Sequence, residues 1–197
     1  MIDHPISSVH FLFNQAEING DKSAFSYKDN QIWNDISWNT YRGDVHKAAG
    51  SLISIGCNSG DKVCILGFNN YNWVTMDMAA MMTGAIPAGI YETCSAEEIS
   101  YILNHSEAKV LLIEDTEQWQ KINEIRNDLK FLEKVILMEG CDEITDDLVI
   151  DWKSFMNLSN EDNRKAAFVS MGKLQKDDVA TFIYTSGTTG PPKAVML

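Results

Sequence analysis

Positive charge is scarce in this chain. Its 16 Lys and Arg residues are outnumbered by 28 Asp and Glu, for a formal net charge of −12 over 197 residues. Such a balance argues against a nucleic-acid partner, because no basic face could neutralise phosphates at scale. A lone lysine in a local loop can still hold a nucleotide, since charge at the site matters more there than the global sum. Long apolar runs are missing too. The longest, Met78 to Ile90, is broken by Thr83, Gly84 and Pro87 and falls short of the roughly 20 residues that span a bilayer. The start, Met1-Ile2-Asp3-His4-Pro5, carries neither a basic n-region nor an apolar h-region, so no signal peptide is expected. Cys57, Cys64, Cys94 and Cys141 form no C-x-x-C pair, and the four histidines are scattered. Disulfide and metal frameworks are therefore not expected; reduced core cysteines in a cytoplasmic protein are.

What remains is ordinary for a globular chain: 45% apolar and 22% charged residues. The length fits one domain or part of a larger one. Ala24–Tyr27 and Ile32–Trp38 flank the turn-rich Lys28-Asp29-Asn30-Gln31, a hairpin signal. Thr40 can cap a helix with Val45, Ala48, Ala49, Leu52 and Ile53 on one face, stopping at Gly56. Lys62–Gly67 reads as a buried strand, and Asn70 begins a helix closed by Gly84. Ile86–Tyr91 is a short strand weakened by Pro87. Ser95-Ala96-Glu97-Glu98 is a capping box ahead of a helix presenting Ile99, Ile102 and Leu103. Lys109–Ile113 is a strand, Glu117–Leu129 a helix and Lys134–Met138 a strand, after which the acid-rich Glu139–Asp151 reads as a solvated connection. Asn160–Lys173 is expected to be helical. The fold class expected is α/β: a mainly parallel sheet of Val63–Leu66, Ile86–Ile90, Val110–Ile113 and Val135–Met138 with flanking helices, plus an N-terminal β-hairpin.

Several features invite over-reading. Glu97-Glu98 and Asp146-Asp147 are adjacent pairs that do not converge, and a helix N-terminus or a solvated surface explains them. Met76, Met78, Met81 and Met82 read as core packing. Asn69, Asn70 and Tyr71 follow a strand's C-terminal end, where open α/β sheets bind ligands, although capping is the natural role of an Asn there.

The most informative stretch is Thr185-Ser186-Gly187-Thr188-Thr189-Gly190-Pro191-Pro192-Lys193, entered from the β-prone run Val179–Tyr184. Glycines let the backbone turn its N–H groups inward, hydroxyls add donors and lysine adds charge, a combination suited to polyphosphate. Most Gly/Ser/Thr-rich loops bind nothing, so this is a hypothesis. A Walker loop is excluded. Gly190 stands three residues before Lys193, two prolines intervene, and Ala194 occupies the position where Ser or Thr would ligate magnesium. Ala194-Val195-Met196-Leu197 reads as a second strand, giving strand, phosphate-type loop, strand.

Tyr-Thr-Ser-Gly-Thr-Thr-Gly-x-Pro-Lys resembles the signature loop of the adenylate-forming superfamily, which includes acyl-CoA synthetases, luciferases and peptide-synthetase adenylation domains. The likeness extends through Trp38-x-x-Tyr41, Gly60–Leu66, Asn69–Trp73 and Gly84–Thr93. The Gly-Ile-Tyr-x-Thr stretch is similar to the long-chain, bubblegum-type branch of acyl-CoA synthetases. One departure is Ala194, where the family commonly has Gly; alanine is expected to be tolerated unless a positive φ is needed.

The resemblance implies a two-step reaction. A fatty-acid carboxylate attacks the α-phosphate of ATP, giving acyl-adenylate and pyrophosphate, and CoA thiolate then displaces AMP. Residues Thr185, Ser186, Gly187, Thr188, Thr189, Gly190, Pro191, Pro192 and Lys193 would hold the β- and γ-phosphates, with Lys193 stabilising charge. Mg2+ would be held through the phosphates, with no metal ligands in the chain itself. ATP, fatty acid and CoA are the implied small-molecule partners; peripheral membrane contact of the full-length parent stays open. Family members continue beyond this loop with an acyl tunnel, a metal-positioning acid, a ribose-binding aspartate and a mobile C-terminal domain. Residues 1–197 are accordingly expected to be an incomplete N-terminal AMP-binding domain, inactive alone. Two other readings stay open: an adenylating enzyme for another carboxylate, and a non-catalytic nucleotide-binding module.

Overall fold

A computed structural model describes Ile2 and residues 6–29, 31–185 and 191–197. The first helix, α1 (Ser8–Asn19), was not expected. The Ser7 hydroxyl accepts from the His10 N–H at its start, and Val9, Leu12 and Ala16 are buried along one face. The hairpin follows as β1 (Ser23–Asp29) and β2 (Ile32–Ser37), paired antiparallel; its turn residue Asn30 lies outside the described residues. Helix α2 (Trp38–Ser54) begins earlier than expected. Ser37, not Thr40, is its cap, and the Ser37 hydroxyl accepts from the Thr40 N–H at 3.1 Å. Val45, Ala48, Ala49 and Leu52 are buried as the helical spacing requires.

A seven-stranded sheet forms the centre. Its strands are β3 (Lys62–Leu66), β4 (Ile86–Ile90), β5 (Ala108–Ile113), β6 (Lys134–Leu137), β7 (Val149–Asp151), β8 (Phe182–Thr185) and β9 (Lys193–Met196). They lie in the order β7-β6-β5-β3-β4-β8-β9, all neighbours parallel except β8 and β9. The four expected segments are thus contiguous and parallel. Pro87 sits inside β4, and pairing to β8 begins only at Ala88, one residue later, consistent with an imide nitrogen that donates nothing to the ladder.

Alternation along the strands sorts their side chains between two cores. Val63, Ile65, Val110, Leu112 and Ile136 face one side, with α1, α2, α3 (Tyr71–Thr83), α6 (Trp152–Asn157) and α7 (Glu161–Met171). Cys64, Leu66, Leu111, Ile113, Val135 and Leu137 face the other, with α4 (Ala96–Ser106) and α5 (Thr116–Glu124). The run reads as continuously apolar because both faces are covered. Each fully buried leucine or isoleucine there contributes roughly 1.5–3 kcal/mol.

Two expected segments are corrected. The helix expected over Glu117–Leu129 stops at Glu124, leaving one 3-10 turn at Arg126–Asp128. Asn104 of α4 donates to the Asp128 carbonyl and accepts from the Lys130 N–H, so tertiary hydrogen bonds compete with further helical ones. Within the acid-rich Glu139–Asp151, β7 pairs with β6, and Asp146 is held by Arg126 at 2.6 Å rather than standing alone in solvent. The capping box of α4 is present with both of its reciprocal bonds. Cys57 and Cys64 are buried free thiols pushed up to about 12 by burial; Cys94 and Cys141, expected in the core, are only half-buried.

Candidate nucleotide site

The connections leaving β3 and β4 part company. The one after β3 enters α3 on one face of the sheet, and the one after β4 enters α4 on the other. Between their C-terminal ends a crevice must open, the location where doubly wound sheets receive ligands. It is there: a cleft of about 540 Å³ lined by Gly67, Phe68 and Asn69 after β3, Tyr91 and Glu92 after β4, and Tyr184 of β8. Trp73, Asp77 and Met81 of α3 form its wall. Gly89 keeps the floor flat, since a Cβ there would stand 3.3 Å from the Trp73 ring.

The loop after β3 is clamped. Gly67 has φ +154° and passes so close to Glu114 that a Cβ would lie 2.5 Å from that residue's own Cβ. The Glu114 carboxylate accepts from the Phe68 N–H at 2.8 Å. Asn70 caps α3 through the Trp73 N–H, and the Tyr71 hydroxyl donates to Asp44, so of Asn69, Asn70 and Tyr71 only Asn69 lines the crevice. Of the methionines, Met76 and Met82 are buried, while Met81 reaches the crevice wall.

The Gly/Ser/Thr-rich stretch joins β8 to β9 at this same end of the sheet. The register pairs Tyr184 with Ala194 and Thr185 with Lys193, so the first and last candidate residues face each other across the loop's base, both exposed. Pro191 and Pro192 precede β9; Ser186, Gly187, Thr188, Thr189 and Gly190 lie outside the described residues. Ala194 does not adopt a positive φ, so its methyl is compatible with the backbone. Tyr184 is buried, and its phenol is pushed up to about 12 by burial. Among the described residues no group of three or more His, Cys, Asp or Glu side chains converges on a metal position, and no helix is long and apolar enough to cross a membrane.

The family described as AMP-binding enzyme matches residues 12–197 of the chain. The chain belongs to the AMP-binding enzyme family. Long-chain-fatty-acid–CoA ligase ACSBG2 of Xenopus laevis is 35% identical, covering 98% of this chain and 26% of the relative. The ACSBG1 ligase of Homo sapiens is 32% identical over 96% of this chain and 26% of its own length. The chain thus spans about a quarter of the length of such relatives. They are of the branch to which the Gly-Ile-Tyr-x-Thr stretch is similar. Among solved structures, the anthranilate CoA ligase AuaEII in complex with anthranoyl-AMP superposes with a TM-score of 0.84 at 22% identity, over 98% of this chain and 35% of that one. That likeness shows that the two share a fold over this span.

Two features around the crevice left no mark on the sequence reading. Asp77 is a single charge within the apolar helix Trp73–Met82, an anomaly visible in the sequence. His105, whose Nδ1 is 2.9 Å from the Tyr184 hydroxyl, left no signal, because 79 residues separate the pair.

Proposed function

We propose that residues 1–197 are part of the AMP-binding domain of a long-chain fatty acid–CoA ligase, and that they supply its pyrophosphate-holding loop. One observation carries this reading: Thr185 and Lys193 are paired across the base of a strand–loop–strand hairpin beside the crevice at the sheet's switch point. Backbone N–H groups and hydroxyls of residues 185–193 would grip the β- and γ-phosphates of ATP, and the Lys193 ammonium would offset the charge that accumulates there as the α-phosphate is attacked. Magnesium would supply further charge neutralisation, carried on the phosphate oxygens; the described side chains form no metal cluster of their own.

Since the matched relatives are about four times as long, the acyl-binding and CoA-transfer machinery belongs, on this reading, to segments beyond the matched span. The 197-residue chain should therefore bind ATP weakly and release no AMP with palmitate, magnesium and CoA. Joined to the remaining segments of an ACSBG2 ligase, it should catalyse ATP–pyrophosphate exchange. In that context Lys193→Ala should slow exchange by roughly 10- to 1000-fold, the scale of losing one charge-stabilising donor. An unchanged exchange rate would remove Lys193 from the mechanism. AMP release by the isolated chain at about 1 to 1000 per second would overturn the division of labour.

A further inference from the structure

The pairing of β8 to β4 covers Phe182 and Ile183 and goes no further. Tyr184 and Thr185, the residues that lead into the candidate phosphate loop, pair only with Ala194 and Lys193 of β9. Strand β9 is itself the edge of the sheet. The root of the loop is therefore a two-stranded ribbon projecting from the sheet, and such ribbons are marginal without another anchor. One anchor is present among the described residues. The Tyr184 ring turns inward, 7% exposed, into the core shared with α4, and its hydroxyl is hydrogen-bonded at 2.9 Å to His105 Nδ1 in the last turn of that helix. The two rings meet edge-on at 5.7 Å. Tyr101, one turn earlier on α4, stacks on the His105 ring at 5.3 Å, 25° from parallel.

We propose that His105 is a positioning residue for the phosphate loop, holding its entry strand to α4 through the Tyr184 hydroxyl with Tyr101 backing the imidazole. His105 touches no phosphate on this account; it sets where Thr185 and, across the ribbon, Lys193 stand. The inference rests on the reading of residues 185–193 as a phosphate loop only for its consequence in ATP affinity, not for the anchoring itself.

The two parts separate in one experiment on the 197-residue chain. Amide hydrogen exchange is followed for peptides covering Tyr184–Thr185 and Lys193–Ala194, with Val110–Ile113 of β5 as the internal control. His105→Ala should speed exchange in the ribbon by about three- to tenfold, the worth of one hydrogen bond to a buried group, and leave β5 unchanged. His105→Asn, whose amide places a polar atom where Nδ1 stood, should return the ribbon to near wild-type protection. Tyr184→Phe removes the same bond from the other side, so it should loosen the ribbon alike and add nothing when combined with His105→Ala. ATP affinity, titrated in parallel, should weaken about three- to tenfold in His105→Ala and recover in His105→Asn. Ribbon exchange unchanged in His105→Ala, acceleration spread equally to β5, or no rescue by Asn would each overturn the anchor. If the wild-type chain binds no ATP, the phosphate-loop reading falls while the exchange data still decide the anchor.

Discussion

Replacing Asp77 by Asn should stabilise this protein at neutral pH, and the gain should vanish in acid. Asp77 lies on α3 against the crevice with Trp73 and Met81 for neighbours. Among the described residues nothing donates a hydrogen bond or an opposite charge to it. Burial raises its carboxyl from 3.8 to about 6, because an ionised carboxylate loses hydration that apolar walls do not replace. The folded state then holds this proton more tightly than the unfolded chain. Asp77 is thus harmless to stability below 3.8, and ionisation opposes folding progressively as pH rises through about 6. The full displacement corresponds to about 3 kcal/mol at pH 7.5. Water entering the open crevice reduces that, so about 1–3 kcal/mol is expected for Asp77→Asn. Urea unfolding followed by tryptophan fluorescence at pH 7.5 and pH 4.5 measures it, and the difference between variant and parent cancels the other carboxylates. A variant no more stable than the parent at pH 7.5, or a gain that persists undiminished at pH 4.5, would refute the desolvation account.

Other parts of the site make sharper mechanical demands. Gly67→Ala should destabilise by about 1–3 kcal/mol, since the new methyl meets Glu114 at 2.5 Å on a backbone at φ +154°; thermal unfolding reads the loss, and a neutral outcome would mean that the Glu114–Phe68 clamp yields freely. Ser95→Ala removes the hydroxyl that accepts from the Glu98 N–H in the α4 capping box, leaving the bond from its own backbone N–H to the Glu98 carboxylate, and should cost about 1 kcal/mol. On a domain of this size that lowers Tm by roughly 2–4 °C, and an unchanged Tm would show that α4 is held by packing alone.

The hairpin, the helix α2 face, the capping box and the four central strands were all legible in the sequence, because each rests on residues close together in the chain. Period-2 and period-3.6 patterning, Gly and Asn stops, and reciprocal Ser/Glu capping are local physics. The stretch from Thr185 to Lys193, proposed as the phosphate loop, stands out for the same reason: its nine residues are consecutive. Helix α1 has a local signature too, for Ser7 followed by Val9, Leu12 and Ala16 is a capped apolar stripe. The start of α2 turned on which of two nearby hydroxyls, Ser37 or Thr40, points back at the helix, and backbone direction decides that. Strand β7 was hidden because three residues in an acidic segment become a strand only when β6 lies alongside to pair with them. The end of α5 was set from outside by Asn104. Chain order alone could not place β8 beside β4, nor bring Gly67, Asp77, Tyr91 and Tyr184 around one crevice, nor seat His105 on Tyr184. Those contacts join residues far apart in the chain, and only the order of strands in the folded sheet makes them neighbours.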